Sequence, residues 1–163
     1  MPLTEDPFAA DQDPPGWELP LLLFAGFRSL IDQLHASLAV QGHPDVRPVY
    51  GFAMQAIGVH GASASEVGRR LGVSKQAAGK TIDRLYALGY VERVDDPRDA
   101  RSKLVRLTPR GLDCLRLSAE IFERLRADWV ARLGADRVRM IESSLRTVVP
   151  PGIFPVDVPG WFE

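Results

Sequence analysis

The 163-residue sequence predicts a mainly α-helical protein interrupted by one small β-hairpin. Three observations carry that prediction. Apolar residues recur at three- and four-residue spacing through most of the chain, as in Leu23, Phe24, Phe27, Leu30, Ile31, Leu34 and Leu38. Alternation with a period of two is confined to two short runs, Tyr90–Val94 and Lys103–Leu107. Helix-start and helix-stop residues punctuate the rest, with Ser63, Ser74 and Thr108-Pro109 placed to open helices and Gly72, Gly89 and Gly134 placed to close them.

Residues 1–16 are rich in Pro, Asp and Ala and offer little to bury, so they are expected to form a flexible arm. A helix follows over Trp17–Val40, within a unit of residues 17–41. Its apolar run LPLLLFAGF is far shorter than the roughly 20 residues a membrane span requires. Without a basic start and cleavage site for secretion, the chain is expected to be cytoplasmic. Gly42-His43-Pro44-Asp45 marks a loop, and Pro48 opens a helix that carries Val49, Phe52, Ala53, Ala56 and Ile57 to about Val59.

Ser63 stands three residues before Glu66, the spacing at which hydroxyl and carboxylate satisfy each other's free backbone N–H at a helix start. Val67 and Leu71 share one face, Gly72 allows the chain to leave the helix, and Ser74 caps the next one. That second helix runs from Lys75 to about Leu88. It buries Ala78, Ile82, Leu85 and Leu88 and leaves Lys75, Gln76, Lys80, Asp83 and Arg84 outward. Between the two alternating runs, Asp95–Ser102 reads as a polar loop too long for a two-residue turn. Thr108-Pro109 then begins a long helix that reaches about Leu133, with Leu112, Leu115, Leu117, Ile121, Leu125 and Trp129 as its apolar contacts. A last helix over Asp136–Val148 carries Val138, Ile141, Leu145 and Val149. Residues 112–149 thus form a C-terminal helical unit, and 150–163 an apolar, Pro-rich tail.

Charge follows the same boundaries. Residues 65–111 hold 11 Lys and Arg against 6 Asp and Glu, a net of +5, whereas the rest holds 9 against 15, a net of −6. The overall −1 hides one positive region, and association depends on the local field that faces a partner. Two helices about a tight turn, followed by a basic hairpin, are physically suited to duplex DNA: the second helix enters the major groove and the hairpin flanks it. On this reading Ser74, Lys75, Gln76, Lys80 and Arg84 face the major groove or its phosphates. Gln76 is the best base reader, since its amide can bond two edges of adenine. Arg98 and Arg101 would enter the minor groove, Asp99 would orient Arg101, and Ser65, Lys103 and Arg106 would touch backbone phosphates.

Residues 63–111, within a winged helix-turn-helix unit placed at residues 45–111, resemble the winged helix-turn-helix of MarR-type (multiple-antibiotic-resistance) transcriptional regulators. The resemblance rests on Ser65-Glu66-Val67, Leu71-Gly72-Val73-Ser74, the LYALGYV run from Leu85 to Val91, the D-x-R of Asp99-Ala100-Arg101, and Leu107-Thr108-Pro109-Arg110-Gly111. It implies a homodimer, acting as a repressor, that binds a pseudo-palindromic operator through two winged domains and pairs through the first and last two helices. The residues argue in the same direction, because the terminal helices carry more apolar surface than a winged domain could cover. Two-fold pairing would set two recognition helices roughly 34–36 Å apart, one turn of duplex.

The resemblance also implies a small aromatic effector bound between the dimerisation helices and the winged domain, bordered by Trp17, Phe24, Phe27, His35, Tyr50 and Phe52. Aromatics at helical spacing more often belong to the core. Cys114 is the only cysteine, so no intramolecular disulfide is available, and a packed structural role is expected for it. His35, His43 and His60 lack ligand spacing, so no metal is expected. No Gly-rich phosphate loop or nucleophile–base pair recommends catalysis, and no cofactor is implied. The competing readings are a winged domain used only for protein interaction and an enzyme whose site is assembled from distant residues.

Overall fold

The computed structural model describes residues 13–150. The expected N-terminal arm and C-terminal tail therefore lie, but for residues 13–16 and Pro150, outside the described residues. In chain order the elements are α1 (Glu18–Val40), α2 (Pro48–Ile57), α3 (Ala64–Leu71), α4 (Lys75–Ala87), β1 (Val91–Asp96), β2 (Asp99–Leu107), α5 (Pro109–Leu133) and α6 (Ala135–Val148).

The helix boundaries follow from local chemistry. At the start of α3, Ser63 Oγ accepts from the Glu66 N–H at 3.2 Å and Glu66 Oε2 accepts from the Ser63 N–H at 2.7 Å, which completes the capping box. The same contacts hold the Glu66 carboxyl below its ordinary range. Gly72 ends the helix in the left-handed region at φ 68°, and Ser74 Oγ then accepts from the Ala77 N–H at 3.1 Å to open α4. The turn can close because α3 carries Gly68, where a Cβ would lie 2.9 Å from the Val73 carbonyl oxygen. Thr108 caps α5 in the same way, with Pro109 in the first turn.

The core lies where α2, α3 and α4 meet the hairpin and the middle of α5. Ile57, Val67, Ile82, Leu85, Tyr90, Val105 and Ile121 are buried there, together with Leu38 at the end of α1. Burying each large aliphatic among them contributes about 1.5–3 kcal/mol. α1 packs along α5, and α6 folds back onto α5.

The apolar face expected along α1 divides in two. Ile31, Leu34 and Leu38 are buried, but Leu23, Phe24 and Phe27 are exposed, as are Leu19, Leu21 and Leu22. The reason is positional: α5 packs along α1, and among the described residues none covers the outer side of its first half. Val49, Leu112, Ile141 and Val149 are likewise more exposed than their periodicity suggests.

The hairpin corrects the expected loop. β1 and β2 pair antiparallel from Val91↔Leu107 to Asp95↔Lys103, and the ladder resumes at Asp96↔Asp99, so only Pro97 and Arg98 make the turn. Ala100, Arg101 and Ser102 are taken up as a bulge between the last two pairs. The turn is pinned by Asp96, which is buried and whose carboxylate accepts from the Arg98 backbone N–H at 2.9 Å. A further backbone bridge joins Ala62 to Val105 on the other edge of β2, with both N–H groups paired at 2.9–3.0 Å. The chain reaches it through Gly61, at φ 79°, where a Cβ would sit 2.7 Å from the Val105 carbonyl oxygen.

Candidate nucleic-acid interface

α4 presents Gln76, Lys80 and Arg84 at successive four-residue steps, so they form one exposed stripe opposite the buried Ala78, Ile82 and Leu85. Lys75 is exposed beside it at the N-terminus of the helix. Ser74 is also exposed; its Oγ accepts a capping bond, which leaves its proton and one lone pair for a partner. Among the described residues Lys75, Lys80 and Arg84 form no ion pair with any carboxylate, so their charges are available to a partner. Ser65 is exposed in the first turn of α3, on the neighbouring helix.

The wing divides its basic residues into two groups. Arg98 occupies the turn and is largely exposed. Its guanidinium nevertheless bonds Asp96, with Nε at 3.2 Å and Nη2 at 3.4 Å, and the Arg98 backbone N–H first, then this guanidinium, hold the Asp96 carboxyl below its ordinary range. Arg101 lies in the bulge, exposed and free of ion pairs among the described residues. Asp99 accepts from the Arg101 backbone N–H at 3.0 Å. The bond expected to orient the Arg101 side chain therefore acts on its main chain, where it shapes the bulge that carries the arginine. Lys103 and Arg106 are exposed but already paired across the strands, Lys103 with Asp95 and Arg106 with Glu92 at 2.8 Å. Their positive charge is partly offset within the hairpin itself.

Two side chains that matter here were missed by the sequence reading. Asp96 anchors the turn, and the Asp-Pro-Arg tripeptide carried the signal for it, since aspartate bonding two residues ahead is a turn signature. Arg93, on β1, pairs with Asp83 of α4 and lies 5.2 Å over the Tyr86 ring, tying the recognition helix to the wing. No local spacing pointed to that contact, which spans two elements.

The six residues expected around an effector lie at the N-cap of α1, along α1 and on α2. Trp17 and Phe24 are exposed on the first turns of α1, and His35 lies partly buried further along it, its pKa lowered chiefly by burial. Tyr50 and Phe52 are half-buried on α2, and Phe27 stacks on Phe52 with ring centroids 6.4 Å apart and planes 12° from parallel. An apolar groove of about 460 Å³ opens instead among α1, α5 and α6, lined by Leu23, Phe27, Leu30, Phe122, Trp129 and Ile141 among others. Of the six, it includes Phe27; Leu125 and Trp129, which periodicity placed on the apolar side of α5, line it as well, whereas Phe122 was not foreseen. Cys114 is buried, and burial pushes its thiol up to about 11. No group of three or more His, Cys, Asp or Glu among the described residues is placed to hold a metal ion. Nor is any helix among them long and apolar enough to cross a membrane.

Residues 46–102 match the family model described as MarR family, and this span contains α2, α3, α4, β1 and the start of β2. The multiple antibiotic resistance protein MarR of Salmonella typhimurium is 33% identical over 86 residues, which are 52% of this chain and 60% of that protein. The matched segment thus spans less than two thirds of the relative's length. A MarR cysteine-to-serine mutant from E. coli complexed with operator DNA superimposes with a TM-score of 0.66 at 25% identity, covering 82% of this chain and 94% of the other. FabT of Streptococcus pneumoniae in complex with DNA gives a TM-score of 0.71 at 18% identity, with 82% and 94% covered, which speaks for the fold alone. Element order, hairpin geometry and these matches agree: residues 46–102 carry a match to the MarR family, within a mostly helical fold like that of the MarR winged helix-turn-helix proteins.

Proposed function

We propose that this chain is a sequence-specific double-stranded DNA-binding regulator, a repressor that acts as a homodimer on a pseudo-palindromic operator in the cytoplasm. The observation that carries the reading is the exposed stripe of Gln76, Lys80 and Arg84 beside Lys75, with three cations unpaired, next to a wing whose turn and bulge display Arg98 and Arg101. A long-armed polar face of this kind can bond base edges while lysine and arginine neutralise phosphates. The occurrence of operator DNA with the E. coli MarR relative supports the same partner. Ser65, Ser74, Lys103 and Arg106 take phosphate-contact roles in this reading, and Asp99 holds the bulge.

Pairing of two copies through α1, α5 and α6 is supported by the uncovered Leu19, Leu21, Phe24, Met140 and Val148. Release by a small aromatic molecule completes the proposal. It would sit by the Phe27–Phe52 stack, where α1 meets α2, and favour a dimer spacing that no longer fits the operator.

The test is titration of a fluorescently labelled pool of random duplexes at rising salt. Binding should weaken steeply, with a log–log slope of about −0.9 for each phosphate neutralised. Absence of salt-sensitive binding would sink the reading and leave a winged module for protein interaction.

A further inference from the structure

His43 and Tyr90 are both buried, 47 positions apart in sequence, and neither belongs to the DNA-facing surface. They meet with His43 Nδ1 3.0 Å from Tyr90 Oη. On either side stand two residues of the first turns of α5: Arg110 Nη2 donates to Tyr90 Oη at 3.2 Å, and Asp113 Oδ2 lies 3.1 Å from His43 Nε2. The chemistry of these groups sets the direction of the chain. The Asp113 carboxylate can only accept, so His43 Nε2–H donates to it, which leaves Nδ1 of the neutral imidazole to accept from the Tyr90 hydroxyl, while Arg110, which can only donate, gives Tyr90 Oη a further bond. Burial pushes the Tyr90 hydroxyl upward, so it keeps the proton it donates. Arg110 also donates to the Gly42 carbonyl at 3.1 Å and lies 4.7 Å over the Tyr90 ring.

Tyr90 sits three residues after the end of α4. Its N–H donates to the Leu85 carbonyl at 2.9 Å, and its own carbonyl accepts from the Thr108 N–H at 3.0 Å. The helix exit is thereby fixed to Tyr90, and Tyr90 to the loop that follows α1 and to the start of α5. We propose that His43 and Tyr90 are positioning residues for DNA reading: the chain Arg110–Tyr90–His43–Asp113 sets how α4 is held against the α1 and α5 frame. Operator affinity then depends on two side chains that never reach DNA. This inference rests on the DNA-binding reading above. Its mechanical part is separable, because a linkage between elements exists or fails to exist in the free protein.

The experiment compares Tyr90→Phe, which keeps the ring, and His43→Gln, whose amide takes the place of Nε2 near Asp113 and leaves no acceptor at the Nδ1 position that faces Tyr90. A third variant, His43→Asn, restores a polar atom near the Nδ1 position. Amide hydrogen exchange of the free proteins is followed over residues 41–47 and 84–90, and affinity is measured on the duplex recovered by selection from a random pool. Tyr90→Phe and His43→Gln should speed exchange in both segments and weaken binding about five- to tenfold, the scale of one lost buried hydrogen bond. The salt slope should stay that of the wild type, since no phosphate contact is removed, and His43→Asn should recover part of the affinity. Unchanged exchange in both segments would overturn the linkage. Changed exchange with unchanged affinity would overturn its role in reading DNA. Failure of the wild type itself to bind duplex would overturn the functional reading, and the role in reading with it, whatever the exchange result.

Discussion

Single residues in this chain are constrained by what lies behind them. A Cβ at Gly111 would stand 2.3 Å from the Tyr90 carbonyl oxygen, on a backbone held from both sides. Gly111→Ala should therefore cost about 2–3 kcal/mol in urea unfolding, whereas Gly79, with nothing within 4 Å of its Cβ position, should gain roughly 0.5–1 kcal/mol on replacement by alanine in α4. Equal effects at the two sites would contradict the packing described. Cys114 gives a second prediction. Its thiol, raised from 9.0 to about 11 by burial, keeps a proton in the folded state that the unfolded chain releases. Its contribution is fully present below about pH 9 and is lost as pH rises towards 11, by roughly 2–3 kcal/mol in all. Cys114→Ala should flatten that part of the stability profile, and urea titrations at several alkaline pH values would reveal an unchanged slope if it does not. The residue scale was the least legible in sequence. His43 looked like one more loop histidine, since the groups that enclose it, Tyr90 and Asp113, lie 47 and 70 positions away.

At the scale of elements, reading succeeded where the cause is local. The Ser63–Glu66 box, the left-handed Gly72 and the Ser74 and Thr108 caps are all interactions within four residues, and each places a helix end where spacing put it. The wing turn escaped because strand alternation fades before Asp95. Asp96, a turn anchor, and the three-residue bulge after Asp99 leave no period-2 signal. The facing of α1 escaped for another reason: periodicity states that a face is apolar, not which neighbour covers it. Losing the Ser74 cap should cost about 1 kcal/mol. Ser74→Ala would be checked by thermal unfolding, with no change in midpoint counting against the cap. Arg101 belongs to the wing as an element, since the Asp99 turn supports its backbone and the bulge exposes its side chain. Arg101→Ala should weaken binding to a selected duplex by about 1–3 kcal/mol in a gel-shift titration. An unchanged affinity would remove the wing from the interface.

The whole molecule has two unlike halves. A basic, well-packed winged unit is carried by helices whose outer surfaces keep leucine, phenylalanine and methionine in contact with water within one chain. In the proposed homodimer a second copy of the same surface would account for both facts, because a two-fold pair would cover the apolar faces and set two α4 helices on one side. Phe24→Glu, which places a charge on that exposed face, should shift sedimentation towards a monomer and reduce duplex affinity while the winged unit keeps its fold. A variant that stays dimeric would move the interface elsewhere. The central claim is that paired α4 helices read a symmetric site, and selection of bound sequences from a pool of random duplex DNA tests it most directly. The account predicts an inverted repeat whose half-sites lie about one helical turn apart, centre to centre. Recovery of no common sequence, or of a single asymmetric half-site bound by one chain, would contradict it.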